Sequence, residues 1–446
     1  MQNHNQENSS LQYHQLDWSN LTSQLLNQNL CKILKFFGTS FLTLSVSPYI
    51  IGVNQEILAN SNNSFNKHSL FNPRSIGWDD TGPLKESDLR GVFVPESLSC
   101  RIIARSGEKV ANNYNWHGSP DGASVFPSSD GGWIYVSNSE LGNSQGGAGA
   151  IKFNKNGEIQ DAYSILKNSS RNCSGGSTPW ETWLSCEEHD KGIVWETSPF
   201  KDNIQFPKAR KMLGAFRHEG AAIDPYNNYI YMTHDDMEGL FYRFVPGGKA
   251  YTEKFYNNGE LQAAKVNKNG SISWLKVPDP SAKNESIIDQ MPEATSFERG
   301  EGIAYFEGKI FFTTTNDHRV WLYNPAKNNL SIFYDGKGYF DNTSPLKWLQ
   351  SWRKGKQGKE LRSPDQITVN SNGYPIVAED GDNMELCFLD HKGFAKPLVR
   401  IDGHWLSEIT GPAFSPDGSR LYFSSQRGKS GSRSTGGITF ELRRKI

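Results

Sequence analysis

The sequence predicts an all-β chain folded as a six-bladed β-propeller with irregular insertions, and three observations carry that prediction. Short apolar runs of strand length come in pairs, as in GASVFPSSDGGWIYVSNSE, EGAAIDPYNNYIYMTHDD, EGIAYFEGKIFFTTTND, PDQITVNSNGYPIVAEDG and GPAFSPDGSRLYFSSQ. The steps between the runs are DG, NN, EG and NG, residues that accept the positive φ a tight hairpin requires. No helical apolar period rivals these strands, and aromatic and glycine content are both high, as in β-rich folds.

Taken in order, residues 1–75 form a leader and low-complexity segment, and residues 76–446 the propeller. The leader is polar and Asn/Gln-rich, turns apolar through CKILKFFGTSFLTLSVSPYIIGV, and ends in NSNNSFNKHS. An apolar run of about 18 residues after a lysine fits an export signal, while Pro48 and the hydroxyl side chains make it a poor membrane span. The expectation is an exported, periplasmic or extracellular protein with at most peripheral membrane association. From about Asp88 the five hairpins quoted above follow one another, and a sixth unit runs from TPWETWLSCEE through a turn at DKG to the strand IVWE. Hairpins recurring about six times at irregular spacing point to blades around an axis, an arrangement that protects strand edges by radial repetition. The C-terminal GGITFELRRKI is placed to complete a blade begun near the N-terminus.

Composition then excludes partners. The 47 basic residues nearly cancel the 48 acidic ones, so no basic stripe awaits nucleic acid. Five cysteines do not make a disulfide framework; Cys31 lies in the leader, and a Cys173–Cys186 bridge is one open possibility. A monomer acting on a small molecule is expected.

Hairpin geometry gathers the acids. The start of strand one and the end of strand two of an antiparallel hairpin lie at the same end. Strand one begins at Glu219, Glu301 and Asp365; strand two ends at Glu140, Asp235–Asp236, Asn316–Asp317 and Glu379–Asp380. All of these belong at one mouth of the central channel, where so many carboxylates repel unless protons or cations neutralise them. Calcium suits such oxygen donors. Cys173 in RNCSGG adds a soft thiol, which calcium does not favour but iron accepts beside carboxylates. Trp180 and Trp183 read as packing, Cys186 as filler.

These motifs, NCSGG-TPW-TWLSCEE, FRHEGAAID, FERGEGIAY with FFTTTNDHRVWLY, SPDQITV, VAEDG and GPAFSPDG, resemble in order those of the PhoX-type alkaline phosphatase family, over roughly residues 110 to 430. The resemblance implies hydrolysis of phosphate monoesters, with Fe(III) and Ca2+ as cofactors in the channel mouth. Carried over by motif, it implies Cys173, Glu187, Glu188, Glu219, Glu301, Asp365 and Asp380 as metal ligands. Arg299 and Glu301 would be the catalytic pair, Arg299 clamping phosphate oxygens through its planar fork. His218 and His117 are candidates for proton transfer or ligand orientation. The chain departs from the family pattern in lacking a twin-arginine pair, in Glu181 where glycine is usual, and in Gln366 after SPD where asparagine is usual. The residues alone also leave open a calcium-dependent lactonase-like propeller hydrolase, or a non-catalytic, metal-stabilised binding propeller.

Overall fold

The structure is a computed structural model that describes Trp78 and residues 82–445, apart from 112–113, 204–206, 251, 338–360 and 382. The leader-like segment, residues 1–75, lies outside the described residues. Six antiparallel sheets form the blades. The inner strands, in chain order, are Pro120–Pro127, Asn172–Ser177, His218–Ile223, Gly300–Phe306, Pro364–Val369 and Ile409–Phe414. Each lies against the inner strands of the blades before and after it, and the sixth returns to the first.

Closure works as the C-terminal strand suggests. Ile438–Arg444 pairs on one side with Arg420–Ser425 and on the other with the N-terminal strand Leu98–Arg105, so the sixth blade is built from both ends of the propeller domain. Val92–Pro95 and Leu84–Glu86 extend the fifth blade, and the third blade gains an extra outer strand, Ile272–Lys276. Among the described residues, these additions are strands joined to the outer edges of a regular frame.

Blades cohere through apolar faces between neighbouring sheets. Trp183, on the second strand of blade two, packs with Val136, Ala148, Ala150 and Ile165 of blade one. Its indole N–H donates to Asn138 Oδ1 at 2.8 Å, so the ring is buried without an orphan donor. Truncation to alanine at such a site costs roughly 3–5 kcal/mol. Trp180 is likewise buried, its N–H given to Glu196 at 2.6 Å. Glu181 between them sits at φ 62°, which explains why glycine suits that position.

One local feature aims side chains into the channel. In every blade the pairing between the first two strands slips near the start of the inner strand. Two residues oppose one, a β-bulge, which bends the strand and turns a side chain out of the ladder. In five blades the first bulged residue carries chemistry: Asp121, Cys173, Glu219, Glu301 and Asp365. The residue after it is glycine in blades one, three and four because the next blade presses close. A Cβ on Gly122 would stand 2.4 Å from Ser174 Cα, and one on Gly302 2.6 Å from Gln366 Cα.

Candidate metal centre

Strand register sorts the mouth into stacked rings. The first ring holds the second residue of each inner strand: Asp121, Cys173, Glu219, Glu301, Asp365 and Thr410. The second holds the residue after each second strand's pairing with the inner strand's start: Glu140, Glu188, Asp235, Thr315, Asp380 and Gln426. A backbone hydrogen bond fixes each member of the second ring. Glu140, Glu188, Asp235, Thr315, Asp380 and Gln426 donate their N–H groups to the carbonyls of Ser119, Arg171, Arg217, Arg299, Ser363 and Glu408, at 2.8–3.2 Å. Six repeats of one bond put nine acidic or thiol side chains in one channel.

Three groups are tight enough to hold cations: Cys173 with Glu188 and Glu219, Glu219 with Glu301 and Asp365, and Asp121 with Glu140 and Glu408. Within each group one donor atom per residue lies within 4.8 Å of the others. The Cys173 thiol points at Glu219 Oε1 at 3.3 Å and Asp121 Oδ2 at 3.6 Å. Glu219 bridges the first two groups, and its Oε2 is buried with no hydrogen-bond partner among the described residues. A buried carboxylate oxygen left this way costs stability unless a proton or a cation meets it.

Electrostatics say the same. Burial, then the neighbouring Glu140, pushes Asp121 up to about 7. Burial, then Asp235 and Glu140, pushes Glu188 up to about 9. Glu219, Glu301 and Asp365 are raised well above the carboxylate range, again by burial first and then by neighbouring acids: Glu301 and Asp365 for Glu219, Asp235 and Asp365 for Glu301, Asp380 and Asp121 for Asp365. The Cys173 thiol is driven up by burial and by Asp121 and Glu219. Each shift means that the site binds positive charge: protons in the bare protein, or multivalent ions in their place. A thiol among carboxylates fits iron, and the all-oxygen groups fit calcium.

Among the described residues, three arginines pair with the ring acids or Glu408: Arg427 with Glu408 at 2.8 Å, Arg433 with Glu140 at 3.2 Å, and Arg299, which lies nearest the first ring. Held at φ 58°, one residue ahead of its inner strand, it reaches three blades. Nε and Nη2 donate to the two oxygens of Asp235 at 2.8 and 3.0 Å, and Nη1 lies 3.4 Å from Asp380. Nη2 also stands 2.9 Å from Glu301 Oε1, near enough for charge attraction but without the alignment of a hydrogen bond.

The structure therefore brings together Cys173, Glu188, Glu219, Glu301 and Asp365, with Asp380 beside them on Arg299. Glu187 does not join. Its carboxylate turns back and accepts from the backbone N–H groups of Ser170 at 3.0 Å and Ile193 at 3.3 Å, clasping a loop. His218 is stacked on Phe216 and bonded to the Gly214 carbonyl, and burial lowers it to about 3; His117 is half-buried against Trp116 and is lowered likewise. Both are neutral packing residues. Cys173 and Cys186 are separate free thiols, Cys186 wholly buried in apolar packing.

Asp121 and Glu408 belong to the site although the motifs did not single them out, and Asp235 joins as the partner of Arg299. A signal for Asp121 was present: Ser119-Pro120-Asp121 repeats Ser363-Pro364-Asp365, and both serines take positive φ, 41° and 36°. Gln366 also acts here. Its amide N–H donates to Asp121 while its carbonyl accepts from the Gly411 N–H at 2.7 Å, tying blades five, six and one.

Comparison with known proteins bears on the family and the fold. The family model described as Alkaline phosphatase PhoX matches residues 146–198 and 189–428. Among solved structures, PhoX from Pseudomonas fluorescens, determined in complex with vanadate, a transition state analogue, shares the fold with a TM-score of 0.64 at 17% identity, covering 82% of this chain and 97% of that one. A gluconolactonase from Xanthomonas campestris overlaps more loosely, with a TM-score of 0.44 at 10% identity over 82% of this chain and 98% of the other. No curated protein matches the chain.

Proposed function

The chain belongs to the PhoX alkaline phosphatase family, a family of metal-dependent phosphatases, and from that premise we propose that it cleaves phosphate monoesters at an iron and calcium cluster in the channel mouth. One observation carries the choice of metals: five bulged inner strands deliver one thiol and four carboxyls to one place, with Arg299 the one cation paired with any of them among the described residues. Cys173, Glu188 and Glu219 would hold iron, whose softness tolerates the thiolate. Glu219, Glu301 and Asp365 would hold calcium, and Asp121, Glu140 and Glu408 would hold a second only in place of Arg433 and Arg427, which pair Glu140 and Glu408 in the bare chain. When bound, such cations screen a phosphate dianion and acidify water near its phosphorus.

The remaining work falls to protein groups. Arg299 is held by carboxylates of three blades in the bare chain; its loosest contact is Asp380 at 3.4 Å, and with Asp380 engaged by a cation, Nη1 would be free to grip a non-bridging oxygen of the phosphoryl group. Glu301 and Asp235 keep that fork aimed. Asp121, held by the Gln366 and Gln426 amides, fixes the far side of the cluster. Positioning of this kind supplies much of the catalysis in phosphoryl transfer. The thiol separates this reading from a lactonase, which needs no soft donor.

Purified protein should release phosphate from an aryl phosphate, lose that activity to chelator, and carry iron together with more than one calcium per chain on elemental analysis. Turnover and metal content unchanged in Cys173→Ala would refute the iron assignment. We further propose that the protein is exported and acts as a monomer, which fractionation of cells and light scattering of the purified protein would test.

A further inference from the structure

Blade six is the blade with no acid or thiol in either ring: it departs from all the others in the first, and shares an uncharged second-ring residue with blade four, Thr315. Its first-ring residue is Thr410, whose hydroxyl donates to the Pro120 carbonyl at 2.8 Å, and its bulge falls later, between Thr410 and Ala413. Its second-ring residue is Gln426, whose amide N–H donates to Asp121 at 2.5 Å and Glu140 at 3.1 Å. Its one acid, Glu408, is matched by Arg427, with Nη2 at 2.8 Å. The mouth is therefore lopsided: the ring acids all come from blades one to five, with Arg299 and Arg433 pairing some of them, and blade six adds none to either ring.

Over that balanced sector the chain holds apolar surface out to water. Trp405 is 77% exposed and Leu406 67%, in the segment that joins Ala395–Ile401 to the inner strand of blade six. This is the mouth side, and Trp405 lies three residues before Glu408. Bonds on both flanks brace the segment. His404 Nδ1 and the Ser407 hydroxyl each meet Ser425 Oγ at 2.9 Å. Arg427 donates its backbone N–H to Ser407 Oγ and its Nε to the Leu406 carbonyl, both at 2.9 Å. An indole kept at the rim of a polar channel forgoes the gain of burial. It can recover that gain when a planar group covers it.

A phosphate monoester has the matching asymmetry, an anionic end that belongs with cations and an organic end that does not. We propose that Trp405, with Leu406 beside it, is the platform for the organic group of the ester, and that it selects planar aromatic alcohols, nucleosides and aryl groups, over short aliphatic ones. This rests on the phosphatase reading above.

The test compares adenosine 5′-monophosphate with glycerol 3-phosphate as substrates of the metal-loaded protein. Stacking of a base on an aromatic side chain is lost on truncation, so Trp405→Ala should lower kcat/KM for the nucleotide by at least about fivefold, through KM. It should change glycerol 3-phosphate by less than about twofold, and Trp405→Phe should restore most of the nucleotide's advantage. Adenosine should also inhibit glycerol 3-phosphate hydrolysis competitively in the wild-type protein and not in Trp405→Ala. An equal effect on both substrates, or none, overturns the platform and leaves the phosphatase standing. Wild-type protein that turns over neither substrate overturns the phosphatase reading itself, and the platform with it. Unchanged melting of Trp405→Ala shows that the fold is intact.

Discussion

Two groups of cysteine and glutamate in this molecule have the same ingredients and opposite meanings. Cys173, Glu188 and Glu219 meet at the channel; Glu379, Glu385 and Cys387 meet in blade five, with donor atoms equally close. In blade five the chain supplies its own partners. Glu379 accepts from the Arg362 N–H at 2.7 Å and the Glu385 N–H at 3.1 Å, and Glu385 is gripped by Arg400, Nε at 2.7 Å. At the channel, Glu219 keeps an oxygen without a partner among the described residues, and apart from the Cys173 thiol the groups that act on it are acids. Donor types and distances do not make a metal site; uncompensated charge does.

The largest expected contrast is in catalysis. Cys173→Ala or Glu219→Gln should remove bound metal and lower phosphate release by on the order of 100-fold or more. Cys387→Ala, at a buried position filled by apolar packing, should leave metal content and turnover within about twofold. Elemental analysis alongside a steady-state assay reads both. Metal lost from the Cys387 variant would show that the two groups are not so different.

How far this contrast was legible in the sequence depends on the residue. The blade count, the closing C-terminal strand and the convergence of Glu219, Glu301 and Asp365 follow from hairpin polarity alone, because strand period and turn chemistry are local. Asp121 was not legible that way. Ser119-Pro120-Asp121-Gly122 opens an inner strand at the mouth, yet Ser415-Pro416-Asp417-Gly418 is the same tetrapeptide and makes the hairpin turn between Ile409–Phe414 and Arg420–Ser425. Four residues cannot say which end of a blade they occupy. Glu187 and Glu188 illustrate the other limit. Adjacent strand residues face opposite ways, so an EE pair offers one ligand, and only register tells which.

A second contrast concerns where stability comes from. Arg400→Ala strips Glu385 of its cation and should cost roughly 1–3 kcal/mol, less than for a fully buried pair because Arg400 is half exposed. The loss should be the same with and without added calcium. Chelation of the wild-type protein should lower melting by a comparable amount, because ions at about 100 times their Kd contribute about 2.7 kcal/mol. Calorimetry of the two proteins in chelator and in calcium separates the effects. A calcium-dependent cost for Arg400→Ala would tie the groups together.

Stability against pH divides them further. The channel carboxyls are raised, so the metal-free native state holds protons that the unfolded chain releases above its ordinary carboxylate pKa near 4. Stability is then fully present below about pH 4 as far as these groups are concerned, and is lost as pH rises through about 7 for Asp121 and about 9 for Glu188. Metal-free protein should melt several degrees lower at pH 9 than at pH 6, and calcium and iron should abolish that slope. A flat profile in chelator would mean that the acids are solvated or otherwise paired.

The smallest effect is the sharpest discriminator, because it lies between two neighbours in the chain. Glu187 pairs in register with Asn172 as Glu379 does with Pro364, and each closes a loop by accepting two backbone N–H groups. Glu188 is the counterpart of Asp380 one position on, facing the channel. Glu187→Gln keeps one acceptor oxygen and sets an amide N–H against the other donor, which should cost about 1 kcal/mol of stability and leave metal content and turnover near wild type. Glu188→Gln should do the reverse, weakening metal binding on the order of 10- to 100-fold while raising the melting temperature of the metal-free protein at pH values above about 9, where Glu188 would otherwise carry a charge among other acids. If both variants lost metal alike, Glu187 would be a ligand after all, and blade two would differ from blade five in more than its cysteine.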